Sequence, residues 1–327
     1  LKGDLIESEV PDDPYIQCHL ERAFPRTLVE RFRDDMYGHR LKREIVATQI
    51  ANDLVDHMGI VFVRRLIDTT GASRADIARA YVIARDSFNL EGLWQQIEAL
   101  DNRVDSGIQY QMMLDLMRLI RRATRWFLRQ RSSLSVNESI EHFAPRLSQL
   151  QESIGKRLRG QELDLWQERR DELTSAGVPK ALANIVAATG NLFAGLGIIE
   201  AAKQTDEKIQ RVAELYYEIG HRLELPWMTE QVDALKVRDS WQAQAREAFR
   251  DDLDRQQLAL TVSVVKMADA PRDVEPRVDQ WLVRHADLHE RWCGLVNEVR
   301  GGAQGGYPLF AVAIRELVDL AESNGES

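Results

Sequence analysis

From Thr27 onward the apolar residues of this chain recur every three to four positions almost without interruption, and no segment shows sustained period-two alternation of β-branched residues. A strand presents its buried face at every second residue and a helix at every third or fourth, so this regularity argues against a sheet. The expected fold class is all-α: a multi-helix domain organised as two related helical lobes.

Punctuation sets the expected boundaries. Pro11, Pro14 and Pro25 interrupt any helix near the start, so residues 1–26 read as a connector with short local structure. The first residue is Leu1 and not methionine, which reads as a cut or processed product continuing from an upstream region. Residues 27–135 are the expected first lobe, 136–265 the second, and 266–327 a set of C-terminal helices ending in the polar tail "AESNGES". A helix is expected over residues 27–58, with Leu41, Ile45, Thr48, Asn52 and Val55 along one stripe, Val46, Ile50 and Leu54 widening it, and Gly59 as its stop. Ser73 with Asp76, and Ser135 with Glu138, have the spacing of capping boxes. Pro226 and Pro308 suit first helical turns, where the missing N–H is no loss.

The two-lobe reading rests on an internal echo at an offset of 135 residues. Ile77, Ala78, Tyr81, Leu90, Ile97, Ala99 and Leu100 match Val212, Ala213, Tyr216, Leu225, Val232, Ala234 and Leu235. The shared pattern is a helix with Ala-x-x-Tyr, a short loop, a second short helix ending in Ala-Leu, and a long helix opened near Tyr110 or Trp241. Duplication is the reading taken, against recurrence by packing rules alone.

Composition removes several functions. The formal net charge of −9 over 327 residues does not suit a general nucleic-acid binder, whose affinity rests on clustered Lys and Arg. No apolar run approaches the roughly 20 residues of a membrane span, and no signal peptide is read. Two cysteines, Cys18 and Cys293, make no disulfide framework and agree with a reducing, cytoplasmic setting.

Few constellations carry chemistry. Arg118, Arg121, Arg122, Arg125 and Arg129 share one helical face. Their guanidinium forks suit a carboxylate or phosphate, which gives one functional reading: a stand-alone helical adaptor binding a protein or small anion through this arginine face. Against it stands a solvated face paired with some of the 52 acidic residues. His285, His289 and Cys293 lie on one stripe, but its ends are about 12 Å apart at a rise of about 1.5 Å per residue, too far for one ion. Residues 300–308, Arg-Gly-Gly-Ala-Gln-Gly-Gly-Tyr-Pro, lack the preceding strand and Lys-Ser/Thr partner of a phosphate loop and read as a flexible loop. The seven tryptophans read as core and inter-helix anchors, and His57 as a helix-end histidine facing the dipole. No catalytic residue, cofactor-binding residue or metal ligand is assigned within the chain.

One further reading comes from resemblance. "GHRLKREIVATQIANDLVDHMG" at residues 38–59, Gly71-Ala72-Ser73 leading into "ADIARAYVIARD", and "LWQQIEALDNRV" at residues 93–104 resemble the segment that follows the catalytic region in large-subunit NAD-specific glutamate dehydrogenases. The likeness is close over residues 10–135 and looser beyond. It implies a non-catalytic C-terminal domain, for assembly or regulation, of an enzyme that oxidises L-glutamate to 2-oxoglutarate and ammonia with NAD. Cofactor and substrate residues would lie upstream, leaving no cofactor in this fragment and NAD in the parent enzyme. The implied partners are the upstream catalytic region of the same chain and further copies in a homo-oligomer, with no nucleic acid and no membrane. His39, Arg40, Arg43, Glu44, Thr48, Gln49 and Asn52 would be the residues that dock on the catalytic region.

Overall fold

The computed structural model describes residues 1–130, 134–302 and 306–323. In chain order the α-helices are α1 (Lys2–Glu7), α2 (His19–Arg22), α3 (Arg26–Tyr37), α4 (Lys42–Met58), α5 (Ile60–Thr70), α6 (Arg74–Ser87), α7 (Leu90–Glu98), α8 (Ser106–Gln130), α9 (Val136–Ser153) and α10 (Gly160–Ser175). They continue as α11 (Lys180–Ala187), α12 (Thr189–Leu192), α13 (Gly195–Thr205), α14 (Ile209–Arg222), α15 (Leu225–Asp233), α16 (Ser240–Lys266), α17 (Val274–Arg284), α18 (Ala286–Arg300) and α19 (Gly306–Glu322). No strand occurs among the described residues, as the periodicity requires. The chain forms two compact units, Leu1–Gln149 with Glu172–Phe193, and Leu150–Asp171 with Ala194–Ser327. Residues 303–305 of the glycine-rich segment and 324–327 of the polar tail lie outside the described residues.

In the first unit, the single helix expected over 27–58 is two helices. Phe32 leaves helical geometry inside α3 (φ −128°, ψ 25°), and the helix ends at Gly38. The His39 Nδ1 then accepts the Leu41 N–H at 3.1 Å, turning the chain into α4. This break changes which stripe is buried. Val46, Ala47, Ile50, Ala51, Leu54 and Met58 form the packed side of α4, against α1, α2, α6 and α8. Leu41 and Val55 of the expected stripe stay 44% and 39% exposed. With α4 starting afresh at Lys42, the side carrying two alanines packs more closely than one carrying Thr48 and Asn52. Gly59, at φ 79°, stops α4 as expected. The Ser73–Asp76 capping interaction also forms: Ser73 Oγ accepts the Asp76 N–H at 3.1 Å. Residues 1–26 hold more structure than a connector needs, burying Leu5, Val10, Ile16 and Leu20 completely.

The second unit contains the internal echo in three dimensions. α5, α6 and α7 have 11, 14 and 9 residues, and α13, α14 and α15 have the same lengths at the same 135-residue offset. The turns agree as well. Gly71 (φ 67°) and Asp206 (φ 52°) both end their helices in left-handed geometry, and Asn89 (φ 50°) and Glu224 (φ 53°) both take it in the next turn. Such conformations are costly outside glycine and asparagine, so their recurrence at matched positions is a specific sign of shared architecture. α14–α16 share one core with α17–α19, centred on Trp281 and Trp292. Both indole N–H groups are satisfied, by Ser263 Oγ and by the Leu223 carbonyl, each at 2.9 Å.

Candidate functional site

The densest polar chemistry lies inside the first unit, at a residue the sequence reading passed over. Arg85 on α6 is fully buried. Its Nε and Nη2 donate to the two Asp86 carboxylate oxygens at 2.6 and 2.9 Å, Nη1 donates to Asp53 at 3.1 Å, and Nη2 lies 3.0 Å from His19 Nε2. Arg22 completes the group, 3.3 Å from Glu91 and 3.8 Å from Asp53. Burial opposes the charge on Arg85, but the Asp86 carboxylate, with Tyr81 and Asp53 adding to it, raises its pKa on balance. Burial, with Arg85 and Arg22 adding to it, pushes His19 down to about 2, so the imidazole is neutral. Burial also raises Asp53, against the pull of Arg85 and Arg22.

These groups join α2, α4, α6 and α7 through a closed and nearly charge-balanced network. With four of the five guanidinium N–H groups engaged by protein atoms, the cluster is built to hold the N-terminal segment in place. The one signal of it in the sequence is the spacing of Arg85 four residues after Tyr81, on the apolar side of its helix. His57 belongs to the same neighbourhood. It stacks on Trp94 with parallel rings 3.7 Å apart, and its Nδ1 lies 2.9 Å from the Tyr81 hydroxyl. Burial lowers its pKa, so His57 packs as a neutral ring and not as a charge paired with the helix dipole.

The candidate docking residues divide by their position on α3–α4. Arg43 is committed internally: it pairs with Asp12 and donates to the Ile6 and Ser8 carbonyls at 2.8 and 2.9 Å, closing the end of α1. The Thr48 hydroxyl donates to the Glu44 carbonyl at 2.5 Å, the internal satisfaction expected of a polar group on a packed helix. His39, Arg40 and Asn52 are exposed, and Glu44 and Gln49 half-buried. Leu41, Asn52 and Val55 mark the open side of α4, and just beyond it Ile60 and Val61 at the start of α5 are 57% and 72% exposed. α4 and the start of α5 thus combine open apolar side chains with unburied polar ones.

The arginine face of α8 is largely engaged. Arg118 pairs with Asp115 at 2.8 Å. Arg121 donates through Nε and Nη2 to the Met58 carbonyl at 3.0 and 2.6 Å, capping the end of α4, and its guanidinium lies over Phe62. Arg122 lies over the Phe193 ring at 3.9 Å. Arg125 and Arg129 also have partners. Elsewhere, His285 stacks on Trp281, while His289 Nε2 lies 3.4 Å from Cys293 Sγ. No group of three or more potential metal ligands occurs among the described residues. Six tryptophans are buried or half-buried, but Trp241 at the start of α16 is 76% exposed and anchors no core.

Together these features define an all-α, multi-helix domain with a closed polar centre and an open face on its early helices. The family described as "Glutamate dehydrogenase, C-terminal" matches residues 1–319, and the chain belongs to that family. It is 68% identical over 327 residues to the NAD-specific glutamate dehydrogenase of Halomonas elongata, 50% over 325 residues to that of Pseudomonas aeruginosa, and 30% over 326 residues to that of Mycobacterium tuberculosis. These matches cover 100%, 99% and 99% of this chain but 20% of each relative. The chain therefore spans about a fifth of the length of the curated relatives it matches. The likeness first read in residues 10–135 extends over almost its whole length.

Proposed function

We propose that this chain is the non-catalytic C-terminal domain of an NAD-dependent glutamate dehydrogenase, acting in assembly or regulation of a homo-oligomeric cytoplasmic enzyme. The observation that carries the reading is the proportion of the match: nearly all of this chain aligns with a fifth of each relative. Nicotinamide chemistry belongs to the remaining portion on this reading. The glycine-rich segment after Arg300 does not fit a dinucleotide turn, because it joins α18 to α19 where such a turn follows a strand. The open side of α4 with the start of α5 is the surface assigned to docking on the catalytic region. Leu41, Val55, Ile60 and Val61 supply apolar area, and His39, Arg40, Gln49 and Asn52 a polar rim, the usual anatomy of an interface. Arg43, Glu44 and Thr48 support that surface from within the unit. The engagement of Arg118, Arg121 and Arg122 speaks against the arginine-face adaptor.

The test is a side-by-side assay of glutamate-dependent NADH formation by the 327-residue chain and by the longer protein that contains it. Turnover by the longer protein alone is the expected outcome. Turnover by the short chain, or by neither, overturns the reading.

A further inference from the structure

A cavity of about 520 Å³ in the second unit is lined by Lys208, Arg211, Arg272 and Arg277, with Glu207 as its one acidic lining residue. Four cations against one carboxylate stand out in a chain whose net charge is −9. They come from two packed helices. Lys208 is the N-cap of α14 and Arg211 lies in its first turn, while Arg272 precedes α17 and Arg277 lies near its start. Neither N-terminus has a side-chain cap, so both leave first-turn amides and positive dipole ends uncapped by side chains.

Arg277 is fixed in place. It donates to the carbonyls of Val264, Val265, Met267 and Pro271 at 2.8, 2.7, 2.9 and 3.2 Å, closing the end of α16, and forms no ion pair with a carboxylate among the described residues. Burial, and then the neighbouring Arg211 charge, lower its pKa, with Glu207 acting against them. Lys208, Arg211 and Arg272 form no ion pair among the described residues. Of the acids close by in sequence, Asp206, Asp269 and Asp273 do not line the cavity. Glu207 accepts the Lys208 backbone N–H at 2.8 Å. The result is an immobile positive wall faced by two uncommitted guanidinium groups and an exposed ammonium.

We propose that this cavity binds a compact oxyanion carrying two or more negative charges, a phosphoryl group or a di- or tricarboxylate, held by Arg211 and Arg272 against the wall made by Arg277. Guanidinium forks match both head groups in bidentate geometry, and helix N-termini favour the same charge. The site is independent of the docking role of α4 and α5.

Isothermal titration of the 327-residue chain at about 0.05 M NaCl, where screening is modest, with pyrophosphate and separately with citrate, tests it. Saturable one-site binding of at least one probe is expected, and the tighter probe identifies the head group. Arg211→Gln with Arg272→Gln is expected to weaken binding by about tenfold or more, as loss of charge-assisted bonds implies. Glu207→Gln, which removes the one opposing charge, is expected to tighten it a few-fold. Arg277 is left intact because it closes α16. Should the double variant lose its circular dichroism, Lys208→Gln with Arg272→Gln, both at exposed positions, makes the same test. No binding of either probe at millimolar concentration, or equal affinity in the variants, overturns the proposal.

Discussion

His19 Nε2 and Arg85 Nη2 meet at 3.0 Å between two fully buried side chains. Arginine has donors only, so the imidazole accepts and its proton sits on Nδ1. That N–H lies 3.8 Å from Asp53 and makes no hydrogen bond. Protonating His19 would place a second cation beside Arg85 in a fully buried position, and the folded state resists it down to about pH 2. In the unfolded chain the same histidine takes up its proton near pH 6.5.

A depressed folded pKa means that the unfolded chain binds the extra proton. Stability is therefore complete above about pH 6.5 and falls on acidification from there towards pH 2, with His57 acting in the same direction from the same upper limit. For His19 alone the slope approaches about 1.4 kcal/mol per pH unit. Unfolding free energies from urea titrations at about pH 7.5 and about pH 5.5 should differ by about 1.4 kcal/mol from His19 on this account. His19→Gln, which keeps an acceptor for Arg85 but cannot titrate, should flatten the dependence. An equal slope in wild type and variant would show that other groups carry it.

The fold class was legible because helical periodicity survives any local break. The echo between Tyr81 and Tyr216 was legible because its matched residues are mostly core positions, where spacing is enforced by packing. The buried side of α4 was not: Val46–Ile50–Leu54 and Leu41–Ile45–Val55 are both apolar stripes, and only the interruption at Gly38–Leu41 decides between them. Arg85 was hidden for a different reason. An arginine on an apolar face reads as a surface residue until its partners are known, and His19, Asp53 and Asp86 come from three separate helices. The basic cavity was equally invisible, because Lys208–Arg211 and Arg272–Arg277 are more than sixty residues apart and meet only through the packing of α14 on α17.

Arg121 illustrates how a face that looks like a binding surface can be structural. Its two bonds to the Met58 carbonyl cap α4, and Thr124 contacts the Met58 sulfur at 3.6 Å. Arg121→Glu removes these charge-assisted bonds and sets an anion at a helix C-terminus, for a loss of about 2–3 kcal/mol. Thermal unfolding of Arg121→Glu and Arg118→Glu side by side checks this. Arg118 is mostly exposed, with its ion pair confined to its own helix, and its replacement should cost under about 1 kcal/mol. Equal losses would show that the Met58 cap is not what matters.

The matched left-handed positions give a paired prediction of opposite sign. Gly71 and Asp206 occupy equivalent helix ends, with φ at 67° and 52°, and the Cβ of a substituted Gly71 would meet nothing within 4 Å. Gly71→Ala should therefore cost about 1 kcal/mol from backbone strain alone, while Asp206→Gly should gain up to about 1 kcal/mol. Differential scanning calorimetry of the two variants decides the matter. A loss in both would mean that the Asp206 side chain contributes more than its backbone conformation costs.

The docking assignment makes the most direct demand on the longer protein. Ile60 and Val61 are the first two residues of α5, both largely exposed, and aspartate is favoured in a first helical turn. Ile60→Asp with Val61→Asp should accordingly leave the unfolding temperature of the 327-residue chain unchanged, within about 0.5 kcal/mol in stability. In the longer protein the same pair would bring two charges into a buried interface and remove about 3 kcal/mol or more of apolar burial. Docking, read in the longer protein as protection of α4 and the start of α5 from amide hydrogen exchange, should weaken about a hundredfold, and glutamate oxidation should fall with it. Unaltered protection and turnover in that variant would remove α5 from the interface, leaving Leu41, Asn52 and Val55 on α4 as the next residues to replace.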